Sequence, residues 1–219
     1  MLKIQKKYYL LLIIIIIIIA GLLYLQIRRA GSIVTSFSTA PILSADATFI
    51  PTYPADPKLG NPGAPIIIIE FADLSCPQCQ KDNYILTKFV NEHPTEMQLI
   101  WKDAPRLHLF AHSNILAHQA AVCAHKQNQF WKFIEIAMTE KKFSRADLQK
   151  IAEGLKLNLA NWNKCLDSEE SKAPLAAGMG LAKTLGIQNL PAIYINSKLI
   201  NLTPDLNLEE LLTRSITKE

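Results

Sequence analysis

Hydrophobic positions fall into three regimes along the chain. From Tyr8 to Ile27 no residue is charged, and Ile13 to Ile19 is an unbroken isoleucine run. At about 1.5 Å rise per residue that stretch reaches roughly 30 Å as a helix, the thickness of a bilayer core. From Arg28 to about Asn61 no helical or alternating period lasts long enough to bury a face. Ser, Thr, Ala and Pro dominate there, as in Pro51-Thr52-Tyr53-Pro54-Ala55-Asp56-Pro57. That stretch reads as a tether of about 35 residues, spanning on the order of 30–35 Å as a flexible coil. Beyond it, short β-rich runs and helical stripes alternate over a length sufficient for one domain with its own core.

Within that third regime Ile66-Ile67-Ile68-Ile69-Glu70-Phe71 lies between turn material, Gly60-Asn61-Pro62-Gly63 before it and Ser75-Cys76-Pro77 after it. The pattern predicts a strand buried on both faces. A helix is predicted from Cys76 or Pro77 to about Glu92, with Tyr84, Ile85, Phe89 and Val90 inward, and a second strand over Met97 to Lys102. A parallel β-α-β unit is the economical reading. His112 to Met138 holds one or two helices with Leu116, Ala120 and Cys123 on one stripe. Ser144-Arg145-Ala146-Asp147 reads as a capping box opening a helix through Leu148, Ile151, Ala152 and Leu155. A short helix follows around Leu159, Trp162 and Leu166. The next runs from about Ala173 to Leu185 and stops at Gly186. Strand character returns at Ala192 to Asn196 and, after a tight turn, at Lys198-Leu199-Ile200. The last helix spans about Leu208 to Ile216, capped by Asn207.

Charge changes the picture at the amino terminus. The formal net charge is +4, from 23 basic and 19 acidic residues. Lys3, Lys6, Lys7, Arg28 and Arg29 flank the apolar run, and with those five set aside the remainder is near −1. No basic nucleic-acid footprint remains. Signal-peptide cores usually span about 7–15 apolar residues before a small-residue cleavage site. Here the run is longer and Gln26-Ile27-Arg28-Arg29 follows it, which favours a retained anchor over a cleaved signal. Three lysines and the terminal amine before the run, against two arginines after it, place the amino terminus in the cytoplasm.

Cys76-Pro77-Gln78-Cys79 carries the sharpest chemistry. A lone C-x-x-C serves redox and metal sites alike, but this one sits where a buried strand gives way to a helix, with Pro77 in the first turn. Cys76 then lies over unsatisfied N–H groups at the positive end of the helix dipole, which favours a thiolate. The i, i+3 spacing lets Cys79 attack a mixed disulfide formed at Cys76. A structural zinc would need two further ligands, usually a second close pair, and Cys123 and Cys165 are far apart in sequence. No metal is expected. His93 and His108 read as loop residues, and His112, His118 and His125 as surface or packing, since they lack the i, i+4 spacing of a helical metal pair.

Taken with Asn61-Pro62-Gly63-Ala64-Pro65 and the strand Ile66 to Phe71, the Cys76-Pro77-Gln78-Cys79 segment resembles the opening of DsbA-like thiol–disulfide oxidoreductases of the thioredoxin superfamily. Later stretches agree: Lys102-Asp103-Ala104-Pro105-Arg106-Leu107, Gln119-Ala120-Ala121-Val122-Cys123-Ala124, and Gln129-Phe130-Trp131. Leu185 to Asn196, with Leu190-Pro191, is similar to the segment carrying the family's cis-proline. The resemblance spans roughly Leu59 to Ile200. It implies a thioredoxin fold with an inserted helical domain. The expected organisation is a cytoplasmic tail over 1–7, a transmembrane anchor over 8–27, a linker over 28–61 and a catalytic domain over 62–219, with the insertion at about 111–186.

The resemblance also implies roles. Cys76 would be the attacking thiol, Cys79 its buried partner, Pro191 the cis-proline facing them, and Glu70 the buried acid that shuttles the proton of Cys79. The bland alternatives are a trans proline opening a strand and a strand-end carboxylate reaching solvent. Lys102 is a candidate charge partner for Glu70, or a solvated lysine. Two departures stand out. Gln78 occupies the position where strongly oxidising members often carry histidine, so it can donate a hydrogen bond to a Cys76 thiolate but brings no charge. A Cys76 pKa of about 4.5–6.5 and a weaker oxidant are expected. Leu190 stands where valine or threonine is commoner. Cys123 and Cys165 would be core hydrophobes as free thiols; the even cysteine count and an oxidising compartment favour a second disulfide.

The reading is an extracytoplasmic enzyme without a cofactor. It would oxidise reduced secreted or envelope proteins, and a DsbB-like or quinone-linked membrane partner would reoxidise it. A reductase or isomerase on the same scaffold, or a tethered peptide- or metal-binding module, are the alternatives.

Overall fold

The computed structural model describes residues 13–22, 24–25, 49–106, 114–140, 142–200 and 207–217. Two units separate, Met1–Ser44 and Ala45–Glu219. In the first, residues 13–22 and 24–25 are helical with exposed side chains. Among the described residues no helix is long and apolar enough to cross a membrane. Positions 8–12, 23, 26 and 27 of the expected span lie outside the described residues, as do the tail over 1–7 and the linker positions 28–48.

The second unit is built on a five-stranded sheet in the order β1-β3-β2-β4-β5. Its strands are β1 (Lys58–Gly60), β2 (Ile66–Ala72), β3 (Met97–Asp103), β4 (Ala192–Ile195) and β5 (Lys198–Ile200). The predicted parallel β-α-β unit is present: β2 pairs in parallel with β3, and α1 (Pro77–Glu92) crosses between them. β4 lies antiparallel on the other side of β2, and β5 returns beside it. The β4–β5 turn places Asn196 and Ser197 at φ 46° and 66°, the left-handed pair that suits a two-residue hairpin.

Between β3 and β4 lie α2 (Ile115–His125), α3 (Phe130–Ala137), α4 (Arg145–Gly154), α5 (Leu159–Leu166) and α6 (Glu169–Thr184); α7 (Leu208–Ile216) closes the chain. Capping chemistry sets several of the starts. Ser144 Oγ accepts from Asp147 N–H, Asn158 Oδ1 from Asn161 N–H, and Asn207 Oδ1 from Glu209 N–H. α6 begins four residues earlier than the apolar stripe suggests, because Ser168 caps it and Glu169 and Glu170 suit its positive end.

Strand alternation divides the core into two layers. Ile66, Ile68 and Leu99 face Leu86 and Val90 of α1 and Leu208 and Leu212 of α7. Ile69, Phe71, Ile100 and Ala192 face the other way, against Ala182 of α6 and Ile50. Each fully buried isoleucine or phenylalanine contributes about 1.5–3 kcal/mol relative to exposure. α6 rides close on β3: a Cβ at Gly178 would stand 2.6 Å from the Asp103 carbonyl oxygen, so no larger residue fits without movement.

Two expectations are corrected. Positions 49–61, expected as the end of the tether, belong to the domain. Ile50 is buried, and Lys58–Gly60 pairs antiparallel with β3, which supplies hydrogen bonds that this stretch shows no periodicity for. On α1 the inward face carries Cys79, Asp82, Asn83, Leu86 and Val90, while Tyr84 is exposed. The polar pair Asp82-Asn83 falls on the buried stripe, which shifts the apparent apolar phase of the helix.

Candidate active site

Residues 73–76 turn the chain from β2 into α1. Cys76 N–H donates to the Asp73 carbonyl at 3.0 Å, and Ser75 N–H to Asp73 Oδ1 at 2.7 Å. Asp73 Oδ2 also accepts from Arg106 N–H at 2.8 Å, and Asn114 Nδ2 donates to Oδ1. Burial alone would raise the Asp73 pKa. The contacts with His118, Arg106 N–H and Ser75 outweigh burial and hold the carboxyl well below the usual carboxylate range. A charged, many-handed carboxylate thus fixes the loop that presents Cys76.

Cys76 is the N-cap of α1, in extended conformation, and Pro77 opens the helix. Cys76 Sγ accepts from Cys79 N–H at 3.1 Å, the helix-terminus contact that stabilises negative charge on sulfur. Cys76 is half-buried and Cys79 fully buried. The two are disulfide-bonded with Cα atoms 5.1 Å apart. Across from them the Leu190–Pro191 peptide is cis, and Cys76 Sγ lies 3.8 Å from the Leu190 carbonyl oxygen. The Cys76–Cys79 pair, Leu190 and Pro191 therefore come together from segments more than a hundred residues apart.

Glu70 is fully buried on β2. Asn83 Nδ2, one turn beyond Cys79 on α1, donates to Glu70 Oε2 at 2.6 Å. Burial raises the Glu70 pKa to about 8; Asn83 opposes this, and the charge of Asp82 adds to it. Asp82 is itself buried, with its pKa raised by burial against the hydrogen bond from Gln78 and the charge of Lys81. Gln78 Nε2 donates to Asp82 Oδ1 at 2.9 Å. In this disulfide-bonded state Gln78 and Asp82 form an i, i+4 pair on α1.

Lys102 does not meet Glu70. In the β2–β3 register Glu70 pairs with Trp101 and Lys102 with Phe71, so the two side chains leave opposite faces of the sheet. Lys102 Nζ instead pairs with Asp56 at 2.5 Å and lies 4.6 Å from the centroid of the Tyr53 ring. Nor is it a solvated lysine: it is buried, and its pKa is lowered by that burial against the pull of Asp56.

His118 carries more than packing. It is buried on α2, with Nδ1 2.6 Å from Asp103 Oδ1, and Leu74 N–H donates to Nε2 at 3.2 Å. Burial lowers the imidazole pKa, but Asp103 and Asp73 outweigh it and raise the pKa overall. His108 and His112 lie outside the described residues. Cys123 and Cys165 are bonded, with Cα atoms 5.7 Å apart, and join α2 to α5. Asp73, Asp82, Asn83 and Asn114 escaped the sequence reading, which took His118 as surface or packing. The signal for Asp82 and Asn83 was their i+3 and i+4 offset from Cys79; Asp73 and His118 left none short of the fold. Among the described residues no group of His, Cys, Asp and Glu has the geometry of a metal site.

A strand, a helix capped by a cysteine of a C-x-x-C pair and a facing cis-proline define the thioredoxin class. Residues 52–213 match the family model described as Thioredoxin, and the chain belongs to that family. It is 29% identical over 183 residues to the probable disulfide bond formation protein D of Bacillus anthracis, covering 76% of this chain and 79% of that protein. It is 23% identical over 181 residues to the Na(+)/H(+) antiporter NhaA 3 of Salinispora tropica, covering 80% of this chain but only 28% of the antiporter. The fold is similar to oxidised BdbD from Bacillus subtilis, with a TM-score of 0.63 and 22% identity, covering 76% of this chain and 93% of that one.

Proposed function

We propose that this protein is a membrane-tethered, extracytoplasmic oxidase that introduces disulfide bonds into reduced secreted or envelope proteins through Cys76 and Cys79. The observation that carries the reading is the placement of Cys76: half-exposed, capping α1 with its sulfur on the Cys79 N–H, and beside the Leu190 carbonyl. A substrate thiolate attacks Cys76 Sγ, and the electron pair of the broken disulfide moves to Cys79 Sγ. Glu70, neutral up to about pH 8, gives its proton to the leaving Cys79 thiolate. A second substrate thiolate then attacks the substrate sulfur of the mixed disulfide. Cys76 leaves as a thiolate stabilised by the helix terminus. The cis Leu190–Pro191 segment offers a backbone edge for the substrate strand.

The two electrons taken from substrate leave through a DsbB-like or quinone-linked membrane partner. The apolar run from Tyr8 to Ile27 is the anchor that holds enzyme and partner in one plane and raises their effective concentration. An oxidising compartment is where such a disulfide persists. One feature favours a reductase or isomerase instead: Gln78, between the cysteines, brings no positive charge to a Cys76 thiolate. Less stabilisation of the thiolate means a weaker oxidant.

The equilibrium potential of the Cys76–Cys79 pair separates a disulfide donor from a reductase. It is measured on the full chain in detergent against glutathione buffers, with Cys76→Ser as control. About −120 to −180 mV is expected for an oxidase or isomerase; a value near about −270 mV overturns the oxidase reading.

A further inference from the structure

Asp82 is an unusual residue for its position. It sits one turn past Cys79 on the inward face of α1, is only 4% exposed, and has no cation in hydrogen-bond contact. An apolar residue there would bury without cost, whereas a buried ionised carboxylate is expensive unless fully paired. It is not fully paired: Asp82 Oδ2 and Glu70 Oε1 are both buried without a hydrogen-bond partner among the described residues. The other oxygen of each acid is held by an amide from α1, Asn83 for Glu70 and Gln78 for Asp82. Gln78 itself is exposed between the two cysteines. Gln78 thus joins Asp82 to the surface beside Cys76, and the charge of Asp82 reaches Glu70 in the interior.

We propose that Asp82 is a second proton-handling carboxyl of this site, relaying protons between Glu70 and solvent, with Asn83 and Gln78 positioning the two acids. The proposal rests on the oxidoreductase reading and deepens it. When the Cys76–Cys79 bond breaks, Cys79 Sγ takes the proton of Glu70. The Glu70 carboxylate then takes the proton of the Asp82 carboxylic acid, and Asp82 recovers one from water on the Gln78 side. No oxidant beyond the enzyme disulfide is consumed. The charge of Asp82 raises the Glu70 pKa, so ionising one acid discourages ionising the other.

Other charged groups surround this face. Lys81 is on α1 itself, and Lys132 and Glu135 of α3 line, with Asn83, the groove beside it. Asp73, Asp103 and His118 are engaged with one another at the end of the sheet. Lys102 and Asp56 belong to the opposite face.

The test is the rate at which dithiothreitol reduces the oxidised full chain in detergent between pH 5 and 9, read by acid quench and thiol alkylation. It compares wild type with Asp82→Asn and Asp82→Glu. Wild type should show two apparent pKa values. Asp82→Asn should show one, moved to lower pH, with a rate about tenfold lower at pH 8, as for loss of part of a general-acid contribution. Asp82→Glu should restore the wild-type profile. An Asp82→Asn profile superimposed on an active wild type overturns the proposal and leaves the oxidoreductase reading intact. A wild type that exchanges no thiols overturns both. If Asp82→Asn does not fold, carbon-13 carboxyl titration of Glu70 in the wild type decides. Its resonance should shift a second time where Asp82 ionises, and a Glu70 curve with a single inflection overturns the relay.

Discussion

At residue scale the site works by unequal treatment of four carboxyls. Asp73, surrounded by donors, is held ionised and ties the loop before Cys76; Glu70 and Asp82, poorly paired, are pushed toward the neutral acid. Asp103 anchors His118, the one α2 side chain that bonds the Leu74 N–H directly. Glu70 carries a stability consequence whose sign is fixed. Its folded pKa of about 8 lies above the unfolded value near 4.5, so the folded state resists ionisation and loses stability as pH rises between those values. Glu70→Gln removes that penalty. The oxidised variant should match wild type near pH 4 and be more stable by about 3–5 kcal/mol above pH 8. Urea denaturation at the two pH values checks this, and a pH-independent difference would show that Glu70 does not titrate in this range.

The helical elements between β3 and β4 pack against the buried cysteine of the active site through apolar side chains. Leu74 and Cys79 pack with Ala117, Ala121 and Phe133 in one apolar cluster, so the insertion is continuous with the site's core. Its internal staple is Cys123–Cys165, closing a separation of 42 residues. Chain-entropy arguments give such a closure about 4 kcal/mol, less any strain. A Cys123→Ser, Cys165→Ser double variant should therefore lose about 2–4 kcal/mol in denaturation while its Cys76–Cys79 pair still exchanges thiols. An unchanged denaturation midpoint would rule the staple out as a source of stability. Also at this scale, the caps of α4 and α7 were legible before any fold was known. Ser144 and Asn207 act within three residues of themselves, so only local chemistry is needed.

For the whole molecule the proposed anchor and the catalytic unit have separate physical requirements, one a long apolar run and the other a buried two-layer core. If the run from Tyr8 to Ile27 spans the bilayer, the full chain should stay in the membrane pellet after alkaline carbonate washing. A protease added outside the cytoplasmic membrane should then digest or release the catalytic unit. Recovery in the wash supernatant would remove the tether from the proposal. Several features followed from sequence alone: the β-α-β core, the helix starting at Pro77 with Cys76 as its cap, the closing hairpin and the redox pair. Each depends on neighbours a few residues away, where periodicity, capping and turn chemistry act. The tertiary structure decided the rest. Strand register sent Lys102 to Asp56 instead of Glu70, and β3 drew Lys58–Gly60 into the sheet. Packing of α1 on β2 turned Asp82 and Asn83 inward beside Glu70. Those outcomes turn on which face a residue presents to a partner distant in sequence, and no local pattern of hydrophobic and polar positions encodes that pairing.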